Sequence, residues 1–134
     1  MITTYFKNLV ANHVWHTAGE TALPSSYYLA ISSTEPKEDG TGVTEPTAIS
    51  GYARTKMSGL GAAVNGEVTN EMVITWPKFL KDEGGFGYWA LYDTEQSGSG
   101  HLLMGDRFDS VKHIDAGTTM SIETNGLTLR VLGE

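Results

Sequence analysis

Residues 86–93 read FGYWALYD, with Phe86, Tyr88, Ala90 and Tyr92 at alternate places and Gly87, Trp89, Leu91 and Asp93 between them. Side chains of an extended chain point to opposite faces with a period of two, and aromatic residues suit a pleated, half-buried surface. The stretch therefore reads as a strand, and the rest of the chain is organised around it. Downstream, TEQSGSG (94–100) is a loop of small polar residues, and HLLMGDRFD (101–109) is a further short strand in which Gly105 is a candidate bulge. The tail TTMSIETNGLTLRVL (118–132) holds two β runs around Asn125-Gly126, a dipeptide that suits a tight hairpin because both residues accept positive φ at small cost.

Upstream, SYYLAISS (26–33) is predicted as a strand ending at Ser33, and GYARTKM (51–57) as another, with Tyr52, Arg54 and Lys56 opposed to Ala53, Thr55 and Met57. Gly59, Gly61 and Asn65-Gly66 mark loop and turn. EVTNEMVITWP (67–77) continues as a strand to Trp76, where Pro77 closes it for want of an N–H. KFLKDEGG (78–85) reads as a polar connection with room for a helical turn.

The front of the chain has a different period. In ITTYFKNLVANHVWH (2–16), Ile2, Tyr5, Phe6, Leu9, Val10, His13 and Val14 recur at three and four residue steps, which places them on one face of a helix. Thr3 or Thr4 caps its start and Gly19 its end. That face has to be covered, by the β domain or by a neighbouring subunit.

The expected architecture is all-β: a single antiparallel β-sandwich, jelly-roll-like, over residues 19–134, with one N-terminal amphipathic helix over residues 1–18, in one domain. A length of 134 residues is enough for a core without staples, and the absence of Cys excludes disulfides and thiolate metal sites. No apolar run approaches the length of a membrane span, and the N-terminus lacks the pattern of a signal peptide, so a soluble chain not exported by that route is expected. The formal charge of −7 disfavours nucleic acid and anionic membrane surfaces as partners.

Several constellations invite a chemical reading. His13 and His16 have no third metal ligand in sequence reach, and Ser97 and Ser99 lie in SGSG without the strand-to-helix elbow of a hydrolase nucleophile. ISSTEPKEDGTGVTEP (31–46) carries Gly40-Thr41-Gly42, but a phosphate loop needs a helix directly after its glycines, and Pro46 biases Glu45 away from one. Calcium is the one cofactor this loop could hold, through Glu35, Glu38, Asp39 and Glu45, although the register is not that of an EF-hand. The plain reading is a solvated loop whose turns are set by Pro36 and Asp39-Gly40. Tyr27, Tyr28, Trp76, Phe86, Tyr88 and Trp89 could floor a sugar site, or serve as core and subunit contacts.

The order of these elements resembles a family of small tailed-bacteriophage virion proteins, often labelled tail fibre or minor structural proteins. The family's loop pattern, LSTTxPxxDGTGxxEPxxxGYxR, is met at Ser33, Thr34, Pro36, Asp39, Gly40, Thr41, Gly42, Glu45, Pro46, Gly51, Tyr52 and Arg54. Its later elements correspond to Gly66, Val68, Asn70, Ile74, Trp76, Pro77, Leu91, Tyr92, Asp93, Leu102, Leu103 and Gly105. The chain departs from the pattern in carrying Trp76 where Phe is usual and in a longer KFLKDEGG connection.

The resemblance implies a non-enzymatic virion structural protein whose partners are other phage virion proteins and copies of itself, as a trimer or around another axis. Neck or collar, tail-fibre base and tail are the expected places, with a capsid decoration protein and a glycan-binding attachment module as alternatives. The residues expected to make contacts are Tyr5, Phe6, Leu9, Val10 and Val14 on the helix, Glu38, Asp39, Gly40 and Gly42 in the loop, and Trp89 on an exposed side of the aromatic strand.

Overall fold

The computed structural model describes residues 1–16 and 22–130; the expected helix end at Gly19 lies outside them. One helix, α1 (Thr4–Trp15), is followed by β1 (Tyr28–Ser32), β2 (Thr55–Lys56), β3 (Glu67–Thr69), β4 (Ile74–Thr75), β5 (Gly84–Tyr92), β6 (Leu102–Ile114), β7 (Ser121–Ile122) and β8 (Thr128–Arg130). The order β2-β1-β5-β6 forms a four-stranded antiparallel sheet, with FGYWALYD in its interior as β5. Two ribbons, β3–β8 and β4–β7, form a second layer. Leu29, Ile31, Trp89, Leu91 and Met104 from the sheet meet Ile74, Trp76, Met120, Ile122 and Leu127 from the ribbon side in one core. The chain is thus an all-β antiparallel sandwich with a single N-terminal helix. Trp76 ties the layers together: its ring is 1% exposed and its Nε1–H donates to the Leu29 carbonyl at 3.1 Å.

The alternation expected for β5 holds only from Tyr88 onwards. Phe86 packs in the same core as Trp89 and Leu91, not with Ala90 and Tyr92, because the register slips. Phe86 lies opposite Lys112 and Tyr88 opposite Arg107, so Gly87 alone faces residues 108–111. Such a bulge reverses the faces on either side of it. The partner strand β6 runs on to Ile114, well past the short strand expected, and Gly105 is not its bulge: it pairs in register with Ala90. A Cβ on Gly105 would stand 2.8 Å from the Trp89 carbonyl oxygen and 3.0 Å from Pro36 Cγ, so glycine there lets the loop lie down on the sheet.

Upstream expectations fail where long-range pairing overrides local pattern. GYARTKM contributes only Thr55–Lys56, after a 3₁₀ turn at Ala48–Ser50; Tyr52 and Arg54 are buried but Lys56, expected on their face, is exposed. EVTNEMVITWP splits at Asn70 into β3 and β4, which have different partners. KFLKDEGG forms no helix; its Phe79 is fully buried in the core. The tail is no hairpin either, since β7 pairs with β4 and β8 with β3.

Asn70 accounts for the split of EVTNEMVITWP and for the tail. It is 0% exposed, its side-chain amide donates to the carbonyls of Met72 (2.8 Å) and Glu123 (2.9 Å), and its side-chain oxygen accepts from Leu127 N at 2.9 Å. Its own carbonyl accepts from Asn125 N at 2.8 Å. A buried amide so fully satisfied holds the β3–β4 kink and the Asn125 turn as one unit. The tight hairpin turn lies at Asn65-Gly66, with φ of 53° and 79°, between Val64 and Glu67, which bond each other at 2.9 and 3.0 Å.

The helix begins later than the periodicity implied and ends at Trp15, inside the expected 1–18. Ile2 is not on its face; it forms an antiparallel bridge to Met104 along the free edge of β6. Thr3 caps α1 by accepting from Phe6 N at 3.2 Å, while its buried hydroxyl donates to the Leu102 carbonyl at 2.7 Å. One side chain therefore starts the helix and fastens it to the sheet.

Candidate functional site

The loop at residues 33–46 is shaped from within. Ser33 N donates to Thr44 O at 3.0 Å and Thr44 N to Ser32 Oγ at 2.8 Å, which closes its base. At its tip Lys37 N reaches Thr41 O at 2.8 Å, and Asp39 Oδ1 accepts from Thr41 N and Oγ1 at 3.0 and 2.6 Å. These hydrogen bonds from Thr41 hold the Asp39 carboxyl below its ordinary range.

Gly40 and Gly42 are both in the left-handed region, at φ of +90° and +93°. A Cβ at Gly40 meets nothing, whereas at Gly42 it would lie 2.3 Å from the Glu35 carbonyl oxygen. Gly40→Ala is expected to cost only the conformational term of about 1–2 kcal/mol. Gly42→Ala adds a clash with fixed backbone, about 1–3 kcal/mol more. Thermal unfolding of the two variants checks this; equal losses would mean that the Glu35 carbonyl moves aside freely.

The loop is docked on both sides. Glu38 offers its carbonyl to Thr4 N at 3.0 Å and its carboxylate to Lys7 Nζ at 2.9 Å, which receives the first turn of α1. The Lys7 hydrogen bond and charge keep Glu38 below the usual carboxylate range, but both side chains are solvated and the pair contributes little. On the other side the chain enters a buried polar clasp. Arg54 places Nε 3.0 Å from Glu45 Oε1 and Nη2 2.8 Å from Oε2, a two-pronged pair whose side chains are 0% and 9% exposed.

The remaining prong of Arg54, Nη1, donates to the carbonyls of Thr94 and Ser99 at 2.9 and 3.0 Å, and its guanidinium lies 3.6 Å above the Tyr92 ring. Glu45 also accepts from Tyr52 Oη at 2.5 Å, Ser97 Oγ at 3.2 Å and Gly98 N at 3.2 Å. Burial pushes the Glu45 carboxyl up, but hydrogen bonds from Arg54 and Tyr52 and the Arg54 charge outweigh it and leave it low. Burial, then the adjoining Glu45 charge, pushes the Tyr52 hydroxyl well up. The clasp fastens three segments, the end of the 33–46 loop, the Tyr52–Arg54 stretch and the turn between β5 and β6.

Sequence reasoning missed this centre. Local pattern puts Glu45 with the calcium ligands and Arg54 on a strand face, and only the Glu-Pro and Gly-Tyr-x-Arg elements of the phage pattern set both residues apart. Glu45 is committed to Arg54, Glu38 to Lys7 and Asp39 to Thr41, so the loop carboxylates do not converge. The aromatic set proposed for a sugar floor is likewise dispersed: Trp76 and Phe86 are core residues.

The expected contact residues fall into distinct groups. Tyr5 stacks on His101 (centroids 4.0 Å apart, planes at 7°), and His101 Nδ1 lies 2.9 Å from Asp93 Oδ2. Leu9 is buried, and Trp89, expected to be exposed, is 7% exposed and packed in the core. Phe6 and Val10 line a largely apolar cleft of about 320 Å³ with Tyr27, Met57, Leu91 and Met104, and Arg130 is also in its wall. Val14 and Trp15, at the helix end, are 57% and 81% exposed.

A family model described as "Podophage GP4 fiber I protein gp80" matches residues 1–130. No curated protein matches the chain.

Proposed function

Because the chain belongs to this podophage fibre-protein family, and so to a family of virion components, we propose that it is a non-enzymatic structural subunit at the base of the tail fibre, working as a homo-oligomer against other virion proteins. The supporting observation is the end of α1, where Val14 and Trp15 stand exposed, Val14 one helical turn beyond Val10, which with Phe6 lines the apolar cleft. A solvent-facing Trp is the kind of residue that anchors interfaces, since it buries a large rigid area when covered. A second copy is the partner proposed for it, because closed symmetric oligomers repeat one contact.

Trp15→Ser is expected to lower the assembly state by sedimentation velocity while the circular dichroism spectrum stays unchanged, since the side chain is 81% exposed. An unaltered oligomer would move the contact elsewhere. Density from intact particles tests the location: a fibre-base position supports the reading, and a position on the capsid surface would make the chain a head decoration protein.

A further inference from the structure

The long bulge of β6 creates a second concavity on the ribbon side of the sandwich, which shares Arg130 with the cleft that Phe6 and Val10 line. Its volume is about 600 Å³, and Trp89, Arg107, Phe108, Asp109, Lys112 and Glu123 are among its walls. That size falls within the ~300–1,000 Å³ of small-molecule sites. Its charge is unlike the rest of the chain. The protein carries −7 formally, yet Arg107, Lys112 and Arg130 all line this cleft; Arg130 is paired with Glu67, whereas neither Arg107 nor Lys112 has a carboxylate within ion-pair distance among the described residues. Asp109 and Glu123 line the same cleft without pairing to them. Phe108 is half-buried with the Lys112 ammonium 5.7 Å from its ring centroid, so it offers a flat apolar surface beside a cation.

We propose that this cleft binds an acidic saccharide, with the sugar carboxylate on Arg107 and Lys112, its hydroxyls donating to Asp109 and Glu123, and a ring face on Phe108. Each part of the lining selects against a simpler ligand. A bare phosphate would be repelled by the two carboxylates, and a neutral sugar would leave both cations without a counter-charge. A ligand with one anionic group, several hydroxyl donors and an apolar face satisfies all of them. The site's wall shares Arg130 with the cleft that Phe6 and Val10 line, but Arg107 and Lys112 line this site and not that cleft, so substitutions there test it apart from the assembly reading.

The test is calorimetry of the 134-residue protein with tri-galacturonic acid, a neutral α-1,4-linked trisaccharide (maltotriose), and inorganic phosphate. Saturable binding of the uronate alone is expected, weakening by about tenfold or more in Arg107→Gln and in Lys112→Gln, as for loss of a charge-assisted contact. Both residues are at the surface of the bulge, and an unchanged melting temperature shows that the fold is intact. Equal binding of maltotriose, binding of phosphate, or affinity unaffected by the two substitutions would overturn the assignment, as would no binding of the uronate. Sedimentation of the same variants should show the parental assembly state, which keeps a failure here distinct from a failure of the Trp15 contact.

Discussion

Arg54→Ala will destabilise the domain by about 3–5 kcal/mol, because removing one member of a buried pair leaves the other charge without compensation. The cost arises at Glu45, which is 9% exposed and would keep only Tyr52, Ser97 and Gly98 as donors. It also arises at the Thr94 and Ser99 carbonyls, which lose the Nη1 donor. Urea unfolding of Arg54→Ala, Glu45→Ala and the double variant measures it: the double variant should lose less than the sum, since neither charge is then stranded. A loss below about 1 kcal/mol in Arg54→Ala would place the pair among ordinary surface bridges. The pH dependence follows from the lowered Glu45 carboxyl. A group held below its unfolded value stabilises the fold above that value, about 4.3 for Glu. Its contribution is lost as pH falls through the folded value. The native protein should therefore weaken in acid more steeply than Glu45→Gln does.

Deleting residues 1–16 will unfold the β domain, and not merely release it as a monomer. Ile2 and Leu9 are buried and Phe6 packs against the main core. At about 1.5–3 kcal/mol per buried side chain, these three contribute an amount comparable to the whole stability of a domain this size, about 5–15 kcal/mol. The deletion also strips Thr3 and its bond to the Leu102 carbonyl from the edge of β6. Loss of the β-sheet dichroism signal and of a cooperative melt is the expected result; a folded truncated domain would limit α1 to assembly. Leu9→Ala, expected to cost about 2–5 kcal/mol, gives the same comparison without removing backbone.

What the sequence made legible was whatever depends on neighbours in the chain. Period two marked β1 and most of β5, period 3.6 marked α1, and Thr3 was a visible cap. Features decided by distant partners were illegible. Asn70 reads as an ordinary polar residue within a β run, and only its bonds to Glu123 and Leu127 turn that run into two strands. Asn125-Gly126 has hairpin chemistry, yet the strands flanking it pair elsewhere, and Asn65-Gly66 makes the tight turn instead. The Phe86 reversal needed the extra residues of β6, which no local pattern reveals. Glu45 and Arg54 lie nine residues apart, a spacing that matches no helix or strand rule, so their pairing becomes visible only in three dimensions.

The bond from Thr3 to the Leu102 carbonyl joins residues 99 apart in sequence, and this separation imposes an order of events on folding. Bringing such ends together costs loop entropy of about 4 kcal/mol before any contact rewards it. On a ribosome adding ~5–20 residues per second, Thr3 and the helix it caps must wait about 5–20 s for the strand they will join. Until then Phe6 and Leu9 have no partner, and the nascent chain is at its most aggregation-prone. Phe6 and Leu9 are thus made well before they are secured, which makes yield of native protein sensitive to translation speed and to chaperone supply while the chain between Thr3 and Leu102 is being synthesised.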